Sequence, residues 1–269
     1  MSRVLTSILL LLASAAPFAA LAAPAVAAAP SDAPPQSVSV LVPIVGSVTG
    51  INNVRWKTDI DLYNDGRSEA NVMLSLPTAP EQPFIFVSIA PGGGQHFSDI
   101  VASTFGMEAT LSPLKITTIE SSRSVRVLAS VYGVHDADVS HPEPIALTNG
   151  TAYSPLRALN GLSFSDTFRT NIGLANLGDH EASFTLALQR IPGRSVAITG
   201  FKIAPNTLVQ TSVQSLFPMI TMGDDFAVIV ETSAPDTYIY ASVVSNDTNE
   251  MHFIQPAFSA PTEQQAASQ

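Results

Sequence analysis

The densest group of ligand-type side chains is His135-Asp136-Ala137-Asp138, with His141 and Glu143 close behind. Two imidazoles and three carboxylates are the donor types that hold a divalent cation. A metal-dependent hydrolase using His135 and His141 is therefore one reading. The spacing matches no established ligand pattern, and a solvated acidic loop after a late strand is the simpler account. Asp59 and Asp61, with Asp65 beyond, could serve as a calcium or acid–base set; a solvated strand face is again simpler. Gly92-Gly93-Gly94 lacks the Lys-Ser/Thr pair and the helix of a phosphate loop, and reads as a hairpin turn. Asp224-Asp225 after Gly223 reads as an ordinary turn. Nucleophilic chemistry finds little support: there is no Gly-x-Ser-x-Gly elbow and no cysteine, and His96, His180 and His252 have no evident partners. No catalytic residue, metal ligand or cofactor is assigned.

The elements that carry these residues come from a repeated unit. Residues Trp56 to Leu76 return 112 positions later, from Phe168 to Leu188, without a gap, and nine of the 21 aligned positions are identical. The chain therefore reads as one supersecondary plan used twice. Period-two alternation dominates it. Thr58, Ile60, Leu62 and Asn64 share one strand face, and Thr170, Ile172, Leu174 and Asn176 repeat it. The repeated face is the buried one, because packing tolerates the least change. Asp59, Asp61 and Tyr63 lie on the other face. Asn64 and Asn176 are expected to bond backbone groups in a turn, with Gly66 and Gly178 at positive φ. Trp56 and Phe168 stand at equal strand entrances and are expected to be largely buried, with equivalent packing roles.

Further alternating runs give about seven strands per copy, with turn signals every eight to twelve residues. No long amphipathic helix breaks the pattern, which argues against parallel βαβ folds. The expected fold class is all-β: two tandem antiparallel β-sandwiches related by internal duplication. Expected boundaries are 37–147 for the first and 148–258 for the second. A short linker falls in Ala146–Ser154, around Thr148-Asn149-Gly150-Thr151. In the last strand Thr237, Ile239, Ala241 and Val243 should face inward. Tyr238, Tyr240 and Ser242 should then face outward, where the first copy has Arg126, Leu128 and Ser130. An outward tyrosine pair is contact area of the kind enriched at binding surfaces. It serves either the neighbouring domain or a partner, and Tyr238 and Tyr240 are the candidate binding residues.

The run Leu-x-Asn-x-Gly-x-x-x-Ala followed by alternating apolar residues resembles the repeated immunoglobulin-like modules of exported bacterial surface and envelope proteins. The lead-ins Trp56-Lys57-Thr58 and Phe168-Arg169-Thr170 resemble a subset of them. The resemblance covers about 20 residues in each copy. It implies the sandwich fold and work in adhesion, spacing or binding. Periplasmic pilus chaperones also use two such domains, and hold the C-terminus of a pilus protein with basic residues in the cleft between them. Arg157 and Arg169 are the basic residues available for that role.

The N-terminus reads as an export signal over residues 1–22. Arg3 supplies the positive start, Val4 to Leu12 the apolar core, and Ala20-Leu21-Ala22 the small-x-small cleavage site. Residues 23–36 read as a disordered Ala/Pro-rich leader, and 259–269 as a disordered tail. No transmembrane helix is expected after signal cleavage. Loss of residues 1–22 removes one cation, Arg3, and no acid, so the net charge goes from −10 to −11. Such a surface repels nucleic acid and anionic lipid. Without cysteine there is neither a disulfide nor a lipid-bearing thiol, so stability must come from the hydrophobic core. The function expected is that of an exported, non-enzymatic binding or structural protein of the periplasm or exterior. Its partner would be a protein or a cell-surface glycan.

Overall fold

The computed structural model describes residues 37–119, 125–148, 154–191, 194–220 and 223–258. The export signal, the leader, the tail and Asn149-Gly150-Thr151 lie outside these residues. In the first half the strands are β1 (Val38–Thr49), β2 (Arg55–Asn64), β3 (Ala70–Ser75), β4 (Ile85–Ile89) and β5 (Gly94–Phe97). A single helical turn, α1 (Ile100–Ser103), precedes β6 (Thr110–Ile119), β7 (Val125–His135), β8 (Asp138–Val139) and β9 (Glu143–Pro144). The second half has β10 (Leu156–Phe164), β11 (Phe168–Asn176), β12 (Ala182–Ile191), β13 (Arg194–Ile203) and β14 (Thr207–Ser212). It continues with α2 (Val213–Leu216), β15 (Gly223–Thr232), β16 (Thr237–Ser245), β17 (Met251–Ile254) and β18 (Ala257–Phe258).

The protein is all-β with antiparallel pairing, and the two halves share a strand order. The first runs β4-β3-β6-β1, with β5 and β7 flanking β2; the second runs β13-β12-β15-β10, with β14 and β16 flanking β11. In the first half β1 bends at a bulge between Val42 and Val45 and pairs with both β6 and β2, joining the two layers into one sheet. In the second half the layers are separate sheets. Each half also closes on its own first strand: Leu41 exchanges both backbone bonds with Thr148, and β18 pairs with β10. In the immunoglobulin order the sixth and seventh strands share a sheet. Here β6 pairs with β1 and β3 while β7 pairs with β2, so the strand order is this chain's own.

The alternation places the core as expected. Thr58, Ile60, Leu62 and Asn64 are all buried, as are Thr170, Ile172, Leu174 and Asn176. The two asparagines do the same work. Asn64 Nδ2 donates to Ser68 O (2.8 Å) and Ile89 O (2.9 Å), while the Gly66 amide donates to its Oδ1 at 2.9 Å. Asn176 Nδ2 donates to His180 O (2.7 Å), Ile203 O (3.0 Å) and Ala204 O (3.1 Å), and Gly178 N–H to Oδ1 at 3.1 Å. Each amide thus ties the end of a strand in one layer to the end of β4 or β13 in the other. The threonines are a second matched pair. Thr58 Oγ1 accepts from Gly46 N at 3.0 Å, and Thr170 Oγ1 bonds the backbone of Ser163, so each pins the second strand to the first.

Three local expectations are corrected. Among the described residues the glycines at positive φ are Gly92, Gly106 and Gly161, so Gly66 and Gly178 are not. Gly178 leaves room for the Asn turn: a Cβ on it would stand 3.3 Å from Asn176 Oδ1. Trp56 is half-buried, lying over Gly50 and Gly133, and Phe168 is 38% exposed. Their roles differ because the stacked pair Phe164–Phe226, 4.9 Å between centroids, already fills the second core near Phe168. Gly92 and Gly93 bond the backbone of Asn64 and lead the chain from β4 in one layer to β5 in the other, so this is a crossover and not a hairpin.

Asn176→Ala should cost about 3 kcal/mol or more in denaturant unfolding, since each abandoned buried carbonyl costs ~1–3 kcal/mol. Asn176→Asp should be no better, because it keeps the shape but sets a carboxylate oxygen against carbonyls. A neutral Asp variant would contradict the role given to the amide.

Candidate functional site

The candidate binding residues Tyr238 and Tyr240 lie on β16. The pairing sets Tyr240 opposite Gly173 and Tyr238 opposite Ala175, with Gln210 and Leu208 on the far side of β11. Alternation turns both rings away from the second half's own core, as expected, but not into water. Tyr240 is 1% exposed and Tyr238 half-buried, and both join the hydrophobic cluster of the first half, with Ile145, Leu147, Leu208 and Phe253. The Tyr240 ring stacks on Phe253 at 5.5 Å, and its hydroxyl donates to Gln210 Oε1 at 2.7 Å. Of the two readings, packing on the neighbouring half is the one seen: the first half covers this face. Burial pushes both phenolic hydroxyls above their ordinary range, Tyr240 more than Tyr238, which the Arg157 charge partly offsets.

Gly173 is what admits the Tyr240 ring. A Cβ there would overlap the Cε1 and Cζ atoms of that ring. The first copy carries Asp61 opposite Leu128 at the same register, with His96 alongside, and Arg126 opposite Tyr63. That face is open: Leu128 is 71% and Tyr63 46% exposed. The copies differ most where one face is covered and its counterpart is not.

The acidic face of the first half is divided among separate partners. Asp61 meets His96 Nδ1 at 2.8 Å, and Asp65 accepts from Arg126 Nε at 2.6 Å. Asp59 accepts from the Asp99 amide (2.8 Å) and from Tyr132 OH (3.1 Å). The His135–Glu143 run is also divided. Glu143 Oε1 accepts from the Phe253 amide at 2.9 Å and lies 3.1 Å from His252 Nδ1; His141 Nδ1 lies 2.5 Å from Glu250. Both join the two halves. His135, Asp138 and His141 line a cleft of about 320 Å³ with Glu250, but no three His, Asp or Glu side chains among the described residues are placed to hold one ion. Asp224 and Asp225 open β15.

The two arginines weighed for a cleft are engaged elsewhere. Arg157 is 3% exposed and donates to Thr237 O (2.9 Å), Thr237 Oγ1 (2.7 Å) and Ser154 O (2.9 Å). Arg169 donates to Asn246 Oδ1 at 2.7 Å, and burial lowers its pKa. A different cleft, about 340 Å³, opens between the halves. Val40, Leu41, Pro77 and Lys115 of the first half line it, with Leu177, Asp236 and Tyr238 of the second. Sequence reasoning passed over Lys115 and Asp236 because they lie 121 positions apart, one on β6 and the other in the turn before β16. No protein-family model matches the chain, and no curated protein matches it.

Gly173→Ala should destabilise the chain by about 1–3 kcal/mol through overpacking against Tyr240. Tyr240→Ala should absorb part of that penalty in a double-mutant cycle; strict additivity would contradict the contact. The raised hydroxyl pKa values carry a second expectation. The fold retains protons that the unfolded chain releases above pH about 10, so these tyrosines stabilise the fold below that pH and less as pH rises through their folded pKa values. In an alkaline titration read at the phenolate absorbance band, two of the five tyrosines should ionise only as the β circular dichroism collapses. Complete ionisation with the fold intact would contradict their burial.

Proposed function

We propose that this chain is an exported, non-enzymatic binding or structural protein of the bacterial envelope or exterior, built from two tandem β-sandwich modules related by duplication, which resemble immunoglobulin-like modules in their repeated motif but not in strand order. The observation that carries this reading is the division of labour between repeated and diverged residues. Residues kept in both copies hold the fold: Asn64 and Asn176 tie the layers, and Thr58 and Thr170 pin the first strands. Diverged residues shape surfaces, as Gly173 and Tyr240 do at the seam and Asp61 and Leu128 do on the open face. Selection has thus acted on surface complementarity around a constant scaffold. The chemistry is recognition of a protein or cell-surface glycan without turnover.

The test is retention of envelope components on an immobilised chain lacking residues 1–22. Saturable retention of a defined protein or glycan, displaced by the free chain, is the expected result. Failure to retain any envelope component above a β-sandwich control would overturn the binding reading.

A further inference from the structure

The seam cleft carries an unused pair of opposite charges. Lys115 lies on β6, opposite Leu41 and Ser75 in the sheet register. Asp236 lies in the turn before β16, where its carbonyl accepts from the Leu177 amide at 2.7 Å. Both side chains line the cleft and both are exposed. No ion pair joins them, and neither has a side-chain partner among the described residues. The rest of the lining is mixed: Val40, Leu41, Pro77 and Leu177 are apolar, and Ser39 and Thr237 are polar. The Tyr238 ring forms part of the same lining, and its hydroxyl has no partner among the described residues.

These features define a ligand by chemistry. A cation and an anion on opposite halves of the molecule, not joined in an ion pair, match a molecule that carries both signs. The apolar wall matches a hydrocarbon side chain. Opposite charges flanked by low-dielectric surface attract more strongly than the same charges in open water. A cleft of about 340 Å³ is at the small end of small-molecule sites, about 300–1,000 Å³. We propose that the seam cleft binds a small apolar zwitterion, its carboxylate toward Lys115 and its ammonium toward Asp236. Tyr238 supplies a hydroxyl and one face of the apolar wall. The shared chemistry is that of a free amino acid or a short peptide. The inference rests on the reading of the chain as a binding protein, and gives it a ligand class at one site.

The experiment is calorimetric titration of the chain lacking residues 1–22 with four probes: leucine, leucyl-leucine, N-acetyl-leucine and leucinamide. Leucine or the dipeptide should bind saturably, and whichever is tighter identifies the source. Acetylation, which removes the cation, and amidation, which removes the anion, should each weaken binding at least tenfold. Lys115→Met should weaken leucine at least tenfold and leave the weaker binding of leucinamide unchanged. Asp236→Asn should do the same for N-acetyl-leucine. Both substitutions are at exposed positions, and circular dichroism confirms that each variant is folded before titration. No saturable binding of either zwitterion, or equal binding of the charge-blocked probes, would overturn the site. Retention of an envelope component alongside that negative result would remove the cleft proposal and leave the binding reading intact.

Discussion

Each half depends on one buried carboxamide. Asn64 and Asn176 are 0% and 1% exposed, and each stands where a strand of one layer ends beside the last strand of the other. Two layers of a sandwich attract through non-directional apolar contact, which fixes neither their register nor the path between them. A buried amide can fix both, because carbonyls at that depth must be paired or bear a desolvation penalty. Asn Nδ2 meets the carbonyls of Ile89 or Ile203, and its Oδ1 meets the Gly66 or Gly178 amide. Gly178 follows from the amide, since a side chain there would crowd its oxygen.

With the layers of each half fixed, the remaining question is how two halves of matching strand order share a chain. The answer lies on one sheet face. In the second half β14, β11 and β16 present Leu208, Ala175, Gly173 and two tyrosines to the first half. In the first half the corresponding face presents Asp61, Tyr63, Arg126 and His96 to solvent. Small residues opposite large rings make a close-packed seam; charges make a surface that stays wet. The described residues of the two halves form one compact unit, with this divergent face at their seam.

The scaffold was legible in the sequence because its signals are local. Alternation set the inner face of β2 and β11, and Asn followed by Gly two residues later marked the turn. The seam was not, because alternation tells which side of a strand a ring leaves by and not what covers that side. For Tyr240 that left both the neighbouring domain and a partner open. The paired change from Asp61 and Leu128 to Gly173 and Tyr240 was a usable signal, since a lost side chain opposite a gained ring is compensation across neighbouring strands. Trp56 and Phe168 misled for a related reason. Equal positions in two copies share a backbone environment, but Phe164 and Phe226 fill the second core in a way that Ser47 and Ser112, at the matching places in the strand register, do not. Gly92 to Gly94 read as a hairpin because the turn chemistry is local while the crossing between layers is not.

The central claim is that the two halves form one folded body through the buried Tyr240 face. Differential scanning calorimetry of the chain lacking residues 1–22 tests it most directly. One transition, with calorimetric and van't Hoff enthalpies equal for the whole chain, is the expected result. Two separable transitions, each with the enthalpy of about half the chain, would mean independent domains in casual contact and would contradict the account.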